Sequence, residues 1–125
     1  MVLGYVKTEQ DDDKNKNAYH CAWCGVFITH TGALVRINGA DSHSFVNPSG
    51  VRCNFRTFQD CENVIIHEEL YIEHSWFAGY GWRFLMCGKC FHHLGWKYDA
   101  VKKRIALKGF FGVLDDAVKP VTASD

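Results

Sequence analysis

The sequence has no excess charge of either sign: 14 Lys and Arg residues balance 14 Asp and Glu. A protein built mainly to grip nucleic acid or an anionic membrane would show a strong basic excess, so neither is expected as a partner. Long hydrophobic runs are missing as well. Nothing approaches the ~18 consecutive apolar residues of a membrane helix. No apolar stretch follows Met1 either, where the chain passes quickly to Thr8-Glu9-Gln10-Asp11-Asp12-Asp13-Lys14. A signal peptide is therefore not expected, and a cytoplasmic location is. Proline is scarce, at two residues, and with 47% hydrophobic content this excludes disorder throughout. The 125 residues also leave no room for two well-packed domains, because each would fall near the size where cores become marginal.

What the chain does have is rings and thiols: aromatic residues make up 14% of it, and there are six cysteines. In an exported protein six cysteines would suggest a disulfide framework, whereas without an export signal reduced thiols and a metal are the better reading. The polar Gln10–Asn17 stretch reads as solvated. The expected organisation is a tail over 1–17, one monomeric domain over 18–119 and a short tail over 120–125.

Short strands dominate the domain. Ala33-Leu34-Val35-Arg36-Ile37 is strand-like and is followed by the turn signal Asn38-Gly39. Ser44-Phe45-Val46 runs into the turn cluster Asn47-Pro48-Ser49-Gly50. Val51, Cys53 and Phe55 alternate with Arg52, Asn54 and Arg56, the period of a half-buried strand. Val64–His67 and Trp82–Met86 read as further strands. In Ala100–Val118, Val101, Ile105 and Leu114 tolerate a helix, while Phe110-Phe111-Gly112-Val113 favours a strand. The expected class is mainly β.

Cys21-Ala22-Trp23-Cys24 and Cys87-Gly88-Lys89-Cys90 are two Cys-x-x-Cys pairs. Each places two sulfurs on one tight turn, and together they supply the four soft ligands of a tetrahedral zinc site. A single pair would leave a redox dithiol open; two pairs favour one structural zinc ion on Cys21, Cys24, Cys87 and Cys90. A closed four-thiolate site has no position for a reactive water, so no catalysis is expected of it. Gly25 and Gly88 relieve the crowded backbone of the two turns. Cys53 and Cys61 read as small buried hydrophobes. His20, His92 and His93 lie beside the pairs and read as supporting or surface groups rather than ligands.

The densest chemistry lies in His74-Ser75-Trp76-Phe77-Ala78-Gly79-Tyr80-Gly81-Trp82 and in Gly95-Trp96-Lys97-Tyr98. Trp76 and Trp82 bracket a glycine-containing segment that reads as a turn. The indoles are either part of an aromatic core or the walls of a cage for a flat ligand with an apolar body, held also through backbone groups at His74 and Trp76. A methylated ammonium is a further candidate occupant, with Glu73 nearby.

These motifs carry a resemblance. Cys-x-x-Cys, Val46-Asn47-Pro48-x-Gly50, His74-Ser75-Trp76-Phe77-x-Gly79-Tyr80-x-Trp82, Cys87-x-x-Cys90 and Gly95-Trp96-Lys97 together resemble the thalidomide-binding (CULT) domain family of cereblon. The match runs from about Tyr19 to Val118 and is similar to the short, stand-alone bacterial versions. The resemblance implies two antiparallel sheets meeting at an angle and pinned by zinc, a β-tent. It implies cyclic-imide ligands: glutarimides, succinimide- and hydantoin-like rings, uracil-type rings such as uridine, or C-terminal cyclic imides on proteins. It also implies the ligand contacts. Trp76, Trp82 and Trp96 form three walls, and Tyr98 the floor. His74 and Trp76 meet the imide through backbone and side-chain hydrogen bonds, Ser75 between them is counted among the ligand-binding residues, and Asn47 and Pro48 lie on a covering loop. A ubiquitin-ligase role is not carried over, since these 125 residues contain neither the Lon-like domain nor the adaptor-binding segment of the longer eukaryotic proteins.

The favoured function is thus non-catalytic recognition of a cyclic imide. The rivals are a thiol oxidoreductase using Cys53 or Cys61, an imide hydrolase using His74, and a methyl-lysine reader. No nucleophile stands beside an evident base, which weighs against both enzymes.

Overall fold

The structure is a computed structural model describing residues 17–121. The readings of 1–16 and 122–125 as tails lie outside the described residues. Nine strands form within them: β1 (Ala18–Cys21), β2 (Phe27–His30), β3 (Ser42–Val46), β4 (Arg52–Phe58), β5 (Val64–Ile66), β6 (Tyr80–Cys87), β7 (His93–Ala100), β8 (Gly109–Leu114) and β9 (Val118–Val121). Single 3-10 turns occupy Thr31–Ala33 and Asp115–Ala117. No helix among the described residues is long and apolar enough to cross a membrane.

The strands build two antiparallel sheets, as expected: a three-stranded sheet in the order β9-β1-β2 and a six-stranded sheet in the order β3-β4-β8-β7-β6-β5. Three details differ from the sequence reading. The Ala33–Ile37 stretch is not a strand. It leaves a 3-10 turn and makes isolated bridges, Leu34 to Phe58 and Ile37 to Ala40, the latter closing the Asn38-Gly39 turn. The ambiguous 100–118 region contains β8, because Phe110–Val113 is buried on both faces and a helix would expose half of it. β9 carries the domain past 119, since Pro120 and Val121 pair with Tyr19 and Ala18.

Strand alternation divides the apolar side chains between the two faces of the larger sheet. Leu85, Cys87, Phe111 and Val113 point to one face and pack with Cys21, Ile28 and Phe58 in a core shared with the smaller sheet. Phe55, Tyr80, Tyr98 and Phe110 point to the other and pack with Ile37 and Phe77. The paired neighbours Phe110 and Phe111 serve one core each. Covering both faces of one sheet lets a short chain stabilise two apolar layers, and the second layer carries the aromatic site.

Candidate functional site

The two cysteine turns are built alike. Gly25 N–H donates to the Cys21 carbonyl and Phe91 N–H to the Cys87 carbonyl, each at 2.9 Å. Cys21 N–H donates to the Val26 carbonyl and Cys87 N–H to that of His92, each at 2.8 Å. The residue after the second cysteine has a positive φ in both turns, 81° at Gly25 and 67° at Phe91. Cys21 ends β1 of the small sheet and Cys87 ends β6 of the large one, so the turns bring both sheets to one point.

The four sulfurs of Cys21, Cys24, Cys87 and Cys90 lie within 4.8 Å of one another. The Cys21–Cys90 and Cys24–Cys87 sulfurs are each 3.6 Å apart. Tetrahedral zinc with bonds of about 2.3 Å sets its sulfurs about 3.8 Å apart, so this donor set fits that ion. At Cys87, burial opposes the thiolate, but backbone N–H groups at Cys90 and Lys89 prevail and bring the thiol down to about 7. The flanking histidines take supporting places. His20 Nδ1 is 2.7 Å from the Gly25 carbonyl. His92 Nδ1 lies 3.3 Å from Cys90 Sγ, and its ring stacks on Trp23 with centroids 4.2 Å apart.

The aromatic site is assembled mainly on the β6–β7 ladder. Trp82 stands opposite Tyr98 and Phe84 opposite Trp96, so these four rings share one face. Trp76 comes from the loop before β6 and meets Trp96 edge to face, with centroids 5.3 Å apart. Phe45 and Phe55 stack behind Trp76 at 5.2 and 5.6 Å. Trp82 is braced by Tyr71 at 4.7 Å and by its own Nε1–H, which donates to the Glu73 carbonyl at 2.8 Å. Tyr98 is 2% exposed and rests on Phe110 and Phe77, and its burial pushes the phenol well above its usual range.

These rings surround a cavity of about 290 Å³ lined by Asn47, Pro48, His74, Trp76, Trp82, Phe84, His93, Trp96 and Tyr98. Every ligand-contact residue named from sequence lines it except Ser75, whose hydroxyl is used locally, accepting from Phe77 N–H and donating to the Phe77 carbonyl. Asn47 holds its own loop: its side-chain oxygen accepts from the N–H groups of Ser49 and Val51, each at 2.9 Å. His74 has a left-handed backbone, φ 63°, at the cavity edge.

Sequence reasoning missed Phe84 and His93 as lining residues. Phe84 was legible, two residues beyond Trp82 on the same strand face. His93 was not: an odd number on the strand that carries Trp96 and Tyr98 predicts the opposite face. A bulge between Leu85 and Met86 in the ladder shifts the register, so His93 stands opposite Met86 on the cavity side. Its Nε2–H donates to the Gly95 carbonyl at 2.8 Å. The strand read over Trp82–Met86 is present as β6, which begins two residues earlier at Tyr80, so part of the glycine-containing segment read as a turn is strand.

Cys53 lies 7% exposed beside the second core, and Cys61 packs against the first. Burial pushes both thiols upward, keeping them neutral and poorly nucleophilic.

Comparison with known proteins gives a consistent match. The Yippee-Mis18 family model, described as Yippee zinc-binding/DNA-binding/Mis18, centromere assembly, matches residues 17–124. Protein cereblon of Gallus gallus is 35% identical over 77 residues, covering 62% of this chain and 17% of that protein. Protein cereblon of Drosophila yakuba is 27% identical over 116 residues, covering 90% of this chain and 20% of that protein. The chain spans about a fifth of the length of these relatives.

Proposed function

Because this chain belongs to the Yippee-Mis18 family and carries a cereblon-like CULT domain with one structural zinc, we propose that it is a non-catalytic binding domain for cyclic imides. The observation that carries this reading is the cavity itself: Trp76, Trp82 and Trp96 stand around the buried Tyr98, with Asn47, Pro48 and His74 at its edge. A five- or six-membered imide has an aliphatic back and an acceptor–donor–acceptor edge, and it is uncharged. Its back meets indole faces, which contribute roughly 25 cal/mol for each Å² of apolar area buried. Its edge needs polar partners, since each orphaned group would cost about 1–3 kcal/mol. The turn at His74–Trp76 supplies candidates, because no hydrogen bond among the described residues engages the backbone of either residue. The zinc holds the cage strands in place without taking part in binding chemistry; its four-thiolate shell is complete.

The ligand set runs from glutarimides through succinimide-, hydantoin- and uracil-type rings to protein C-termini that have cyclised to imides. So small a ring supports a Kd of about micromolar order. Neutral thiols at Cys53 and Cys61 weigh against a thiol enzyme. The test is a titration of the zinc-loaded chain with glutarimide, followed by tryptophan fluorescence. A saturable change that Trp96→Ala abolishes is expected; a flat trace for the unaltered chain would overturn the reading.

A further inference from the structure

Away from the zinc turns, at the Asn17 end of β1, a cleft of about 310 Å³ lies between the two sheets. Strand alternation sets its walls. Tyr19 stands opposite Pro120 and Cys21 opposite Val118, so these side chains share one face of the small sheet, and Asn17 falls in the same phase. Across from them, Arg56 pairs with Val113 in the β4–β8 ladder and Phe58 lies two residues further on, so all three face the small sheet. The aromatic cage is built on the reverse face of the large sheet, and the two cavities share no residue.

Polar groups with capacity to spare gather in this cleft. Arg56 Nη1–H donates to the Tyr19 hydroxyl at 2.7 Å, and the guanidinium carbon lies 6.0 Å from the centre of that ring. Tyr19 is itself buried and fixed edge to face against Phe58, with centroids 5.6 Å apart, so it holds the cation in place. Its hydroxyl accepts from Arg56, and its own proton has no acceptor among the described residues. Asp115 opens the 3-10 turn after β8 and lines the cleft, and neither it nor Arg56 makes an ion pair among the described residues. Asn17 Oδ1 is buried without a hydrogen-bond partner, an orphan that a bound donor would satisfy. The rest of the wall is apolar, from Phe58, Val113, Val118 and Pro120.

We propose that this cleft is a second binding site, for a free α-amino acid with an apolar side chain. The carboxylate pairs with the Arg56 guanidinium and takes the Tyr19 proton. The ammonium meets Asp115 and the Asn17 oxygen, and the side chain lies on the apolar wall. A ligand with one charge alone leaves either Arg56 or Asp115 facing it unpaired, so both ends of the zwitterion are read. The volume stands at the lower end of the ~300–1,000 Å³ typical of small-molecule sites. The inference goes beyond the imide reading and does not depend on it.

The experiment titrates the full zinc-loaded chain with L-leucine and follows backbone amide shifts by NMR. Saturable shifts at Tyr19, Arg56 and Asp115 are expected, with the amides of Trp82 and Trp96 in the cage unmoved. The Kd should fall between about 10 μM and 1 mM, the range open to a ligand of about nine non-hydrogen atoms. 4-Methylpentanoate lacks the ammonium and 3-methylbutylamine lacks the carboxylate. Each should bind at least about tenfold more weakly, the loss of one charged hydrogen-bonded contact. Arg56→Gln and Asp115→Asn should each weaken leucine binding by a similar factor; both side chains are exposed, so either variant keeps the fold and its zinc. The absence of saturable shifts up to about 10 mM leucine, tenfold above the weakest expected Kd, overturns the inference. Single-charge analogues that bind as well as leucine overturn it too, as does unchanged leucine binding by both variants.

Discussion

His93 stands directly across the β6–β7 ladder from Met86, although Gly95, only two residues away, stands across from Leu85, the neighbour of Met86. The residue between them, Leu94, is the extra one, and its side chain is fully buried in the core between the sheets. This bulge carries His93 to the cage side and depends on Gly95. There φ is 152°, and an added Cβ would lie 1.9 Å from the Gly112 carbonyl oxygen.

Gly95→Ala should therefore destabilise the protein by about 3 kcal/mol or more, because the clash is with backbone that cannot step aside. Denaturant unfolding of the zinc-loaded protein measures this. A loss below about 0.5 kcal/mol, the range of surface substitutions, would show that the bulge relaxes freely.

Zinc removal is expected to unfold the domain rather than loosen one end. Structural zinc binding is worth ~10–16 kcal/mol, comparable to the whole ~5–15 kcal/mol stability of a small domain. Metal analysis should find one zinc per chain, and Cys24→Ser should lower that occupancy. Stripping the metal should abolish near-ultraviolet circular dichroism from the buried rings. Retention of that signal in the metal-free protein would mean that the two sheets hold together without their shared pin.

The matched turns at Gly25 and Phe91 give a prediction of opposite sign. Phe91 holds a left-handed backbone while 64% exposed, so its ring contributes little packing to offset the strain. Phe91→Gly should stabilise the protein by about 1 kcal/mol with zinc content unchanged. A lower thermal midpoint would show that the exposed ring contributes more than the strain removes.

Acid should weaken the cage's support. Within the aromatic layer behind the cage, His43 packs against Phe45, Phe55 and Phe77, and its buried Nε2 has no hydrogen-bond partner. Burial lowers its pKa from the ordinary 6.5, outweighing the Ala40 carbonyl and Asp41, which favour the proton. His93 is lowered as well, by burial against the pull of the Gly95 carbonyl, with His67 adding to the effect. Both take up protons more readily unfolded than folded. Their contribution is complete above pH 6.5 and declines as pH falls from there toward their folded values. Denaturation midpoints measured downward from pH 7.5 should fall, and His43→Leu should flatten part of that slope. An unchanged slope would remove His43 from the account.

The zinc ligands and the β class were legible because they are local patterns, whereas the residues expected around the aromatic cavity came from the resemblance to the CULT family, spacing alone leaving cage and core open. Cys-x-x-Cys is a single turn, and the alternation of Cys53 and Phe55 with Arg52 and Asn54 is one strand. The same alternation places Trp82 and Trp96 on one sheet face once their strands are paired. What escaped the sequence was set by pairings between distant segments. Ala33–Ile37 has strand composition, yet it is held by single bridges to Phe58 and Ala40 rather than by a ladder. His93 changed face through a bulge, and Ser75 turned its hydroxyl to Phe77 instead of the cavity. Most informative of all, Arg56 of β4 and Asn17 before β1 come to one cleft only because the two sheets face each other.

The central claim is that the cage reads the polar edge of an imide as well as its apolar body. Calorimetric titration of the zinc-loaded chain with glutarimide and with N-methylglutarimide tests it most directly, since the two differ by the ring's single donor. A site built to pair that donor rejects the analogue lacking it by ~10⁴-fold or more when fully enclosed. For this partly open cavity the account predicts one-to-one binding of glutarimide and at least about a hundredfold loss on methylation. Equal binding of both, or of neither, would contradict it.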